Sequence, residues 1–184
     1  MRKKASIFWC TGMSGVGKTT LATHAKIELE GHGLRVFIID GDVVREKYKI
    51  QLGFDRDDIA KNNFNIAEIC QDERGEYDVI IVPIISPIDT VRCAVGNLLS
   101  PDFHLIYLYA DMGSLRTRDP KGLYRKADEG KIKDLIGYSN SSPYDTPEKF
   151  DLKIDTSSKY DLLGSKNLFT NFLMSKVFVP PALS

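Results

Sequence analysis

No apolar run in this 184-residue chain approaches the roughly 18 residues that a membrane-spanning helix requires. Met1-Arg2-Lys3-Lys4 leads directly into a strand-like segment at 7–10, with no secretory cleavage pattern, so a cytoplasmic protein is expected. An excess of one charge is also missing. The 25 basic and 25 acidic residues cancel, which leaves no global field to draw the chain to nucleic acid or an anionic membrane, and neither is expected as a partner. Cysteines are few: Cys10, Cys70 and Cys93 are odd in number and far apart, giving neither a disulfide framework nor metal-ligand spacing. They read as small buried hydrophobes. His24, His32 and His104 share no zinc-like spacing either, and there is no internal repeat or low-complexity tract.

What is present is an ordinary globular composition, 42% hydrophobic and 27% charged, in a length that suits one domain over residues 1–184. Short runs rich in Val, Ile, Phe and Tyr, at 7–10, 36–39, 79–85, 105–109 and 150–154, have strand length. Between them amphipathic stretches predict helices over 18–30, closed by Gly31, and over 58–73, 89–99 and 159–176, the last started by Thr156-Ser157-Ser158. This alternation predicts βαβ units and an α/β fold: a three-layer α/β/α sandwich on a mainly parallel five-stranded sheet. Residues 118–146 break the rhythm, being polar and rich in Gly, Pro, Lys and Asp, as a mobile lid would be.

The strongest motif is Gly12-Met13-Ser14-Gly15-Val16-Gly17-Lys18-Thr19, which fits G-x-x-x-x-G-K-[ST] and lies between a predicted strand and a predicted helix. Such a P-loop turns backbone amides around phosphate oxygens, Lys18 reaches the β- and γ-phosphates of ATP, and Thr19 offers its hydroxyl to Mg²⁺. Thr20 continues the same helix start. Asp40-Gly41-Asp42 ends the next strand, at the sheet edge where open α/β sheets bind ligands. Asp40 there suits a metal-bound water, with Asp111 as a rival, and Asp42 suits the base that accepts a hydroxyl proton. Arg45, one turn beyond Asp42, could grip an anionic acceptor. An Asp-Gly turn with a solvated arginine would look the same.

Five blocks together resemble the adenylylsulfate kinase family, whose members phosphorylate the 3′-hydroxyl of adenosine 5′-phosphosulfate. They are the P-loop, Asp40-Gly41-Asp42-Val43-Val44-Arg45, Leu52-Gly53-Phe54, Ile85-Ser86-Pro87, and Arg118-Asp119-Pro120-Lys121-Gly122-Leu123-Tyr124. The resemblance spans roughly 7–156 and implies a P-loop kinase acting as a homodimer, with a lid after Arg118 that closes over both nucleotides. It implies Arg118 as an ATP contact, and Phe54, Asn62, Ile85, Ser86, Lys121 and Leu135 on the acceptor. The chain departs from the family at Ile59, where an arginine is usual, at Ile88 and Asp89 in place of Tyr-Arg, and at Leu135-Ile136 in place of Phe-Thr. These changes keep a second acceptor open, another nucleotide-linked anion such as cytidine diphosphoramidate. Ser86 could instead cap the following helix.

A GTPase would carry Asn-Lys-x-Asp for guanine, which is missing. A non-catalytic ATP-binding sensor would have little need of Asp42, Arg45 and Lys121. An ATP-dependent kinase with a small-molecule nucleotide acceptor is the reading that uses all of these residues.

Overall fold

Side-chain alternation along one strand organises the molecule. In the computed structural model, which describes residues 4–41, 44, 53 and 55–178, strand β1 (Ser6–Thr11) is buried at every position. Phe8 and Cys10 join a core with Leu21, Ala25, Leu29 and Phe169, while Ile7 and Trp9 join Ile66, Cys70, Val95 and Leu99 on the other side. A period of two sends alternate residues to opposite faces, so a strand apolar at both parities needs a layer on each side. Truncating Phe8 or Trp9, both fully buried, to alanine would cost about 3–5 kcal/mol.

The sheet order is β2 (Val36–Ile38), β3 (Val79–Pro83), β1, β4 (Phe103–Tyr109), β5 (Leu152–Asp155), and every pair is parallel. Helices α1 (Lys18–Gly31) and α6 (Leu162–Val177) cover one face; α2 (Arg56–Glu73) and α3 (Asp89–Leu99) cover the other. The expected three-layer sandwich on five strands is therefore the fold. Because the chain passes from one side of β1 to the other after β3, the carboxyl ends of β1 and β3 border the crevice where such sheets take ligands.

Several boundaries and environments differ from expectation. Strand β3 ends at Pro83 rather than at 85, since proline has no N–H to extend the ladder. Helix α6 starts after Asp161, whose carboxylate accepts from the amides of Leu163 and Gly164; Ser157 instead turns back onto Asp155. Two short helices fall where none was read: α4 (Met112–Arg118), capped by Asp111 accepting from the Ser114 amide at 2.8 Å, and α5 (Leu123–Asp128). Residues 118–146 thus begin in helical structure rather than as irregular chain. Cys93, expected inside, is exposed on α3, while Cys10 and Cys70 are buried as expected.

His104 on β4 packs its ring on Phe8, with centroids 5.1 Å apart, and edge-on against Phe172. Asp151 approaches its Nδ1 only to 3.9 Å, too far for a hydrogen bond. Burial disfavours the imidazolium and lowers the His104 pKa below 6.5, with Lys176 acting in the same direction and Asp151 and Asp102 opposing it. The unfolded chain therefore binds the proton more readily, so stability is full above about pH 6.5 and falls as pH drops toward the lowered native value. Denaturant titrations at a series of pH values should show this loss in the native chain and a flatter profile in His104→Phe.

Candidate active site

The turn between β1 and α1 is built by glycines where side chains would not fit. A Cβ on Gly12 would stand 2.4 Å from the Leu108 carbonyl oxygen, so only glycine lets the loop leave β1 this close to β4. Gly17, at φ 101°, caps α1 from the left-handed region without a side-chain hydrogen bond. The first turn of α1 also has no acidic residue. Its amides and the positive end of the helix dipole are thus available to an anion at the loop.

Lys18 donates from Nζ to the Gly12 and Met13 carbonyls, at 2.7 and 2.9 Å, and is buried. Burial pulls its pKa down to about 7, against the opposing pull of Asp40. Thr19 Oγ1 donates to Asp40 Oδ2 at 3.2 Å. A hydroxyl beside a carboxylate fits Mg²⁺, a hard cation that binds one or two protein oxygens together with phosphate oxygens. No group of three or more His, Cys, Asp or Glu residues that could hold a metal ion exists among the described residues; Thr19 and Asp40 are the pair there that would hold such an ion together with the nucleotide. Asp111 is otherwise engaged: the hydroxyl and amide of Ser114 hold its carboxyl down to about 2 as the α4 cap.

A single cavity of about 670 Å³ joins this loop to the ends of β3 and α2. Ser14, Gly15, Val16, Gly17, Lys18, Thr19 and Thr20 line one end, with Asp40 beside them. Ile59, Asn62, Ile85 and Ser86, from α2 and the chain after β3, line the other, and Arg118 and Lys121 line the cavity as well. Gly12 stays beneath the lining, its carbonyl taken by Lys18. Leu135 does not reach the cavity: it is 7% exposed and packs in the core, and the neighbouring Ile136 lines the cavity in its place. Asp42, Arg45 and Phe54 lie outside the described residues.

The wall formed by Asn62, Ile85 and Ser86 is held from several directions. Ser86 does not cap α3; its hydroxyl donates to Asn63 Oδ1 at 2.5 Å, and the cap residue Ile88 has no capping side chain. Thr11 Oγ1 donates to the Ile85 carbonyl at 2.6 Å, tying the end of β1 to the wall. Asn62 Oδ1 is buried and has no hydrogen-bond partner among the described residues, an unmet acceptor beside the cavity. On the nucleotide side Arg118 donates to the Thr156 carbonyl, Thr156 Oγ1 to the Val16 carbonyl at 2.7 Å, and Tyr124 OH to the Ser14 carbonyl at 2.8 Å. No site role was read from sequence for Thr11, Arg92, Tyr124, Thr156 or Ile136, although Tyr124 ends the Arg118–Tyr124 block, Ile136 is one of the departures from the family pattern, and Arg92 forms an Asp89–Arg92 pair at i,i+3 on a predicted helix.

A family model described as adenylylsulphate kinase matches residues 4–155. The chain belongs to the adenylylsulphate kinase family. Among its relatives, the Bacillus licheniformis adenylyl-sulfate kinase is 39% identical over 156 residues, covering 84% of this chain and 78% of the relative. A probable adenylyl-sulfate kinase of Bacillus subtilis is 36% identical over 96% of this chain and 88% of its own length. The fold matches that of a solved Mycobacterium tuberculosis APS kinase in complex with AMPPNP and APS, with a TM-score of 0.84 and 26% identity over 95% of this chain and 100% of that one.

The lowered pKa of Lys18 makes phosphate binding proton-linked. A bound polyphosphate favours the ammonium, so above about pH 7 the complex holds a proton that the free protein has released. Calorimetry of MgATP binding in buffers of different ionisation enthalpy should show uptake growing toward about one proton as pH rises from about 6 to about 8. Affinity should weaken over the same interval. A Lys18→Met variant should show neither trend.

Proposed function

We propose that this chain is an ATP-dependent kinase that phosphorylates the 3′-hydroxyl of adenosine 5′-phosphosulfate, giving 3′-phosphoadenosine 5′-phosphosulfate and ADP. The observation that carries this reading is the one continuous cavity, with a phosphate loop at one end and a mixed apolar and amide wall at the other. Two nucleotides lying end to end would bring a γ-phosphate and an acceptor hydroxyl together between them. Membership of the family supports the choice of acceptor.

In this mechanism the loop amides and the first turn of α1 bind the β- and γ-phosphates, and Lys18 exchanges its two carbonyl partners for phosphate oxygens. Thr19 and Asp40 would hold Mg²⁺, which when bound would neutralise charge on the transferring group. Asp42 accepts the proton of the acceptor hydroxyl as its oxygen bonds to the γ-phosphorus and the bond to the β,γ-bridging oxygen breaks. Arg118 and Lys121 balance the charge left on ADP and the moving phosphoryl group. Residues 118–146 act as the lid that excludes water, consistent with the docking of Tyr124 on Ser14.

The presence of Ile59 and Ile136 in the cavity lining favours a second reading in which the acceptor is a different nucleotide-linked anion such as cytidine diphosphoramidate. We also propose a cytoplasmic homodimer; exposed Ile27 on α1 and Leu163 and Leu168 on α6 are available for a subunit contact. No described helix is long and apolar enough to cross a membrane.

Incubation with MgATP and a panel of nucleotide acceptors, read by phosphorus NMR, should give a new 3′-phosphomonoester from adenylylsulfate. An inert adenylylsulfate with turnover of a pyrimidine acceptor would transfer the assignment to the second reading. Lys18→Ala should abolish turnover. Asp42→Asn should lower kcat by at least about a hundredfold while MgATP binding persists, and normal turnover in that variant would remove Asp42 from the mechanism.

A further inference from the structure

Arg92 has no exposed side-chain surface and no part in the chemistry above. A guanidinium is buried this completely only where hydrogen bonds compensate its charge, and its partners fall on two separate pieces of chain. Nη1 donates to the Ser86 carbonyl at 2.6 Å, at the cavity wall. Nη2 donates to Asp89 Oδ1 at 2.6 Å and to the Asp145 carbonyl at 2.5 Å. The guanidinium carbon lies 5.6 Å from the centroid of the Tyr144 ring, a cation–π distance.

Tyr144 and Asp145 belong to the far end of the segment read as a lid, and they are fastened to the wall by further bonds. The Asp145 amide donates to the Pro87 carbonyl at 2.8 Å. Its carboxylate accepts from the Asp89 amide at 3.2 Å, supplying the cap that Ile88 cannot give α3, and from Arg56 at 3.4 Å. Tyr144 OH lies 2.8 Å from Thr11 Oγ1. Since the Thr11 proton is directed to the Ile85 carbonyl, the tyrosine is the donor in that pair.

Between these contacts Ser86 sits at φ 44°, in the left-handed region that a residue with a Cβ seldom adopts. Such backbone persists when its surroundings over-determine it. Here Arg92 holds the Ser86 carbonyl and Asn63 its hydroxyl.

We infer that Arg92 is a positioning residue, a latch that fastens Tyr144 and Asp145 to the wall and thereby sets Ile85 and Ser86 for the acceptor nucleotide. The inference rests on the proposed function for its acceptor, but the latch itself is geometric. Arg92 acts through the wall and the lid segment rather than by touching the reacting atoms. The planar fork is what allows one side chain to serve three oxygens on two separate pieces of chain; a lysine ammonium in the same place can satisfy only part of that set.

The test compares Arg92→Met, Arg92→Lys and Tyr144→Phe with the native enzyme, by steady-state kinetics with MgATP and adenylylsulfate, by calorimetry with MgATP, and by amide hydrogen exchange. Arg92→Met should raise the acceptor KM and lower kcat, together reducing kcat/KM for the acceptor by about tenfold to a hundredfold, with MgATP affinity changed by less than about threefold. Arg92→Lys should recover part of the loss. Tyr144→Phe should move the acceptor KM in the same direction by a smaller factor, and it carries the kinetic test alone if Arg92→Met does not fold. Exchange at residues 144–146 should quicken in Arg92→Met while β1 stays protected. Unchanged acceptor kinetics, equal losses for ATP and acceptor, or unchanged exchange at 144–146 would each overturn the latch. If the native enzyme leaves adenylylsulfate untouched, the proposed acceptor fails instead, and the exchange comparison alone decides whether the latch exists.

Discussion

The close approach of Gly12 to the Leu108 carbonyl is the contact on which the site depends. It brings the end of β1 against β4, so the chain must turn at once into the loop that precedes α1. The adjacent Thr11 uses its hydroxyl to hold Ile85, at the end of the neighbouring strand region. Two consecutive residues thus set both ends of the cavity: one permits the phosphate loop, and the other ties the wall at Ile85 to it. β1 can serve as this reference because it is buried on both faces and paired on both edges, which places it among the segments that open least readily.

Electrostatics follows from the same geometry. A lysine confined beneath a glycine loop loses hydration, and two carbonyls replace only part of it. Phosphate oxygens would supply the missing counter-charge, so the loop is already arranged for an anion rather than reorganised by one. The wall opposite the loop is different in character. Ile59 and Ile136 give it apolar surface, and Asn62 keeps an acceptor oxygen that no described residue meets. Its polar definition therefore rests on a few amide and hydroxyl groups, each held by a partner from another element.

The sequence made some of this plain and hid the rest for physical reasons. The P-loop is legible because its spacing is local: every residue that shapes it lies between 12 and 19. The five strands are legible because buried parallel strands are continuous apolar runs. Helices α4 and α5 were not, since they are short and sit in a polar stretch where hydrophobic periodicity is weak. Arg92 was hidden for the opposite reason. A charged residue on an amphipathic helix reads as solvated until distant residues 144 and 145 are known to lie over it. Leu135 and Ile136 exchanged places between core and cavity because an irregular segment has no period from which to read side-chain direction. Asn62 and Ser86, named from the family resemblance, both line the cavity.

A crystal structure of the protein with AMPPNP, Mg²⁺ and adenylylsulfate tests the central claim most directly. The triphosphate should lie against the amides of residues 14–19, with Lys18 swung from its two carbonyls onto the phosphates. The acceptor should lie between Asn62 and Ser86, with its 3′-hydroxyl directed at the γ-phosphorus. An acceptor bound outside this cavity, or a nucleotide bound with Lys18 still on Gly12 and Met13, would contradict it.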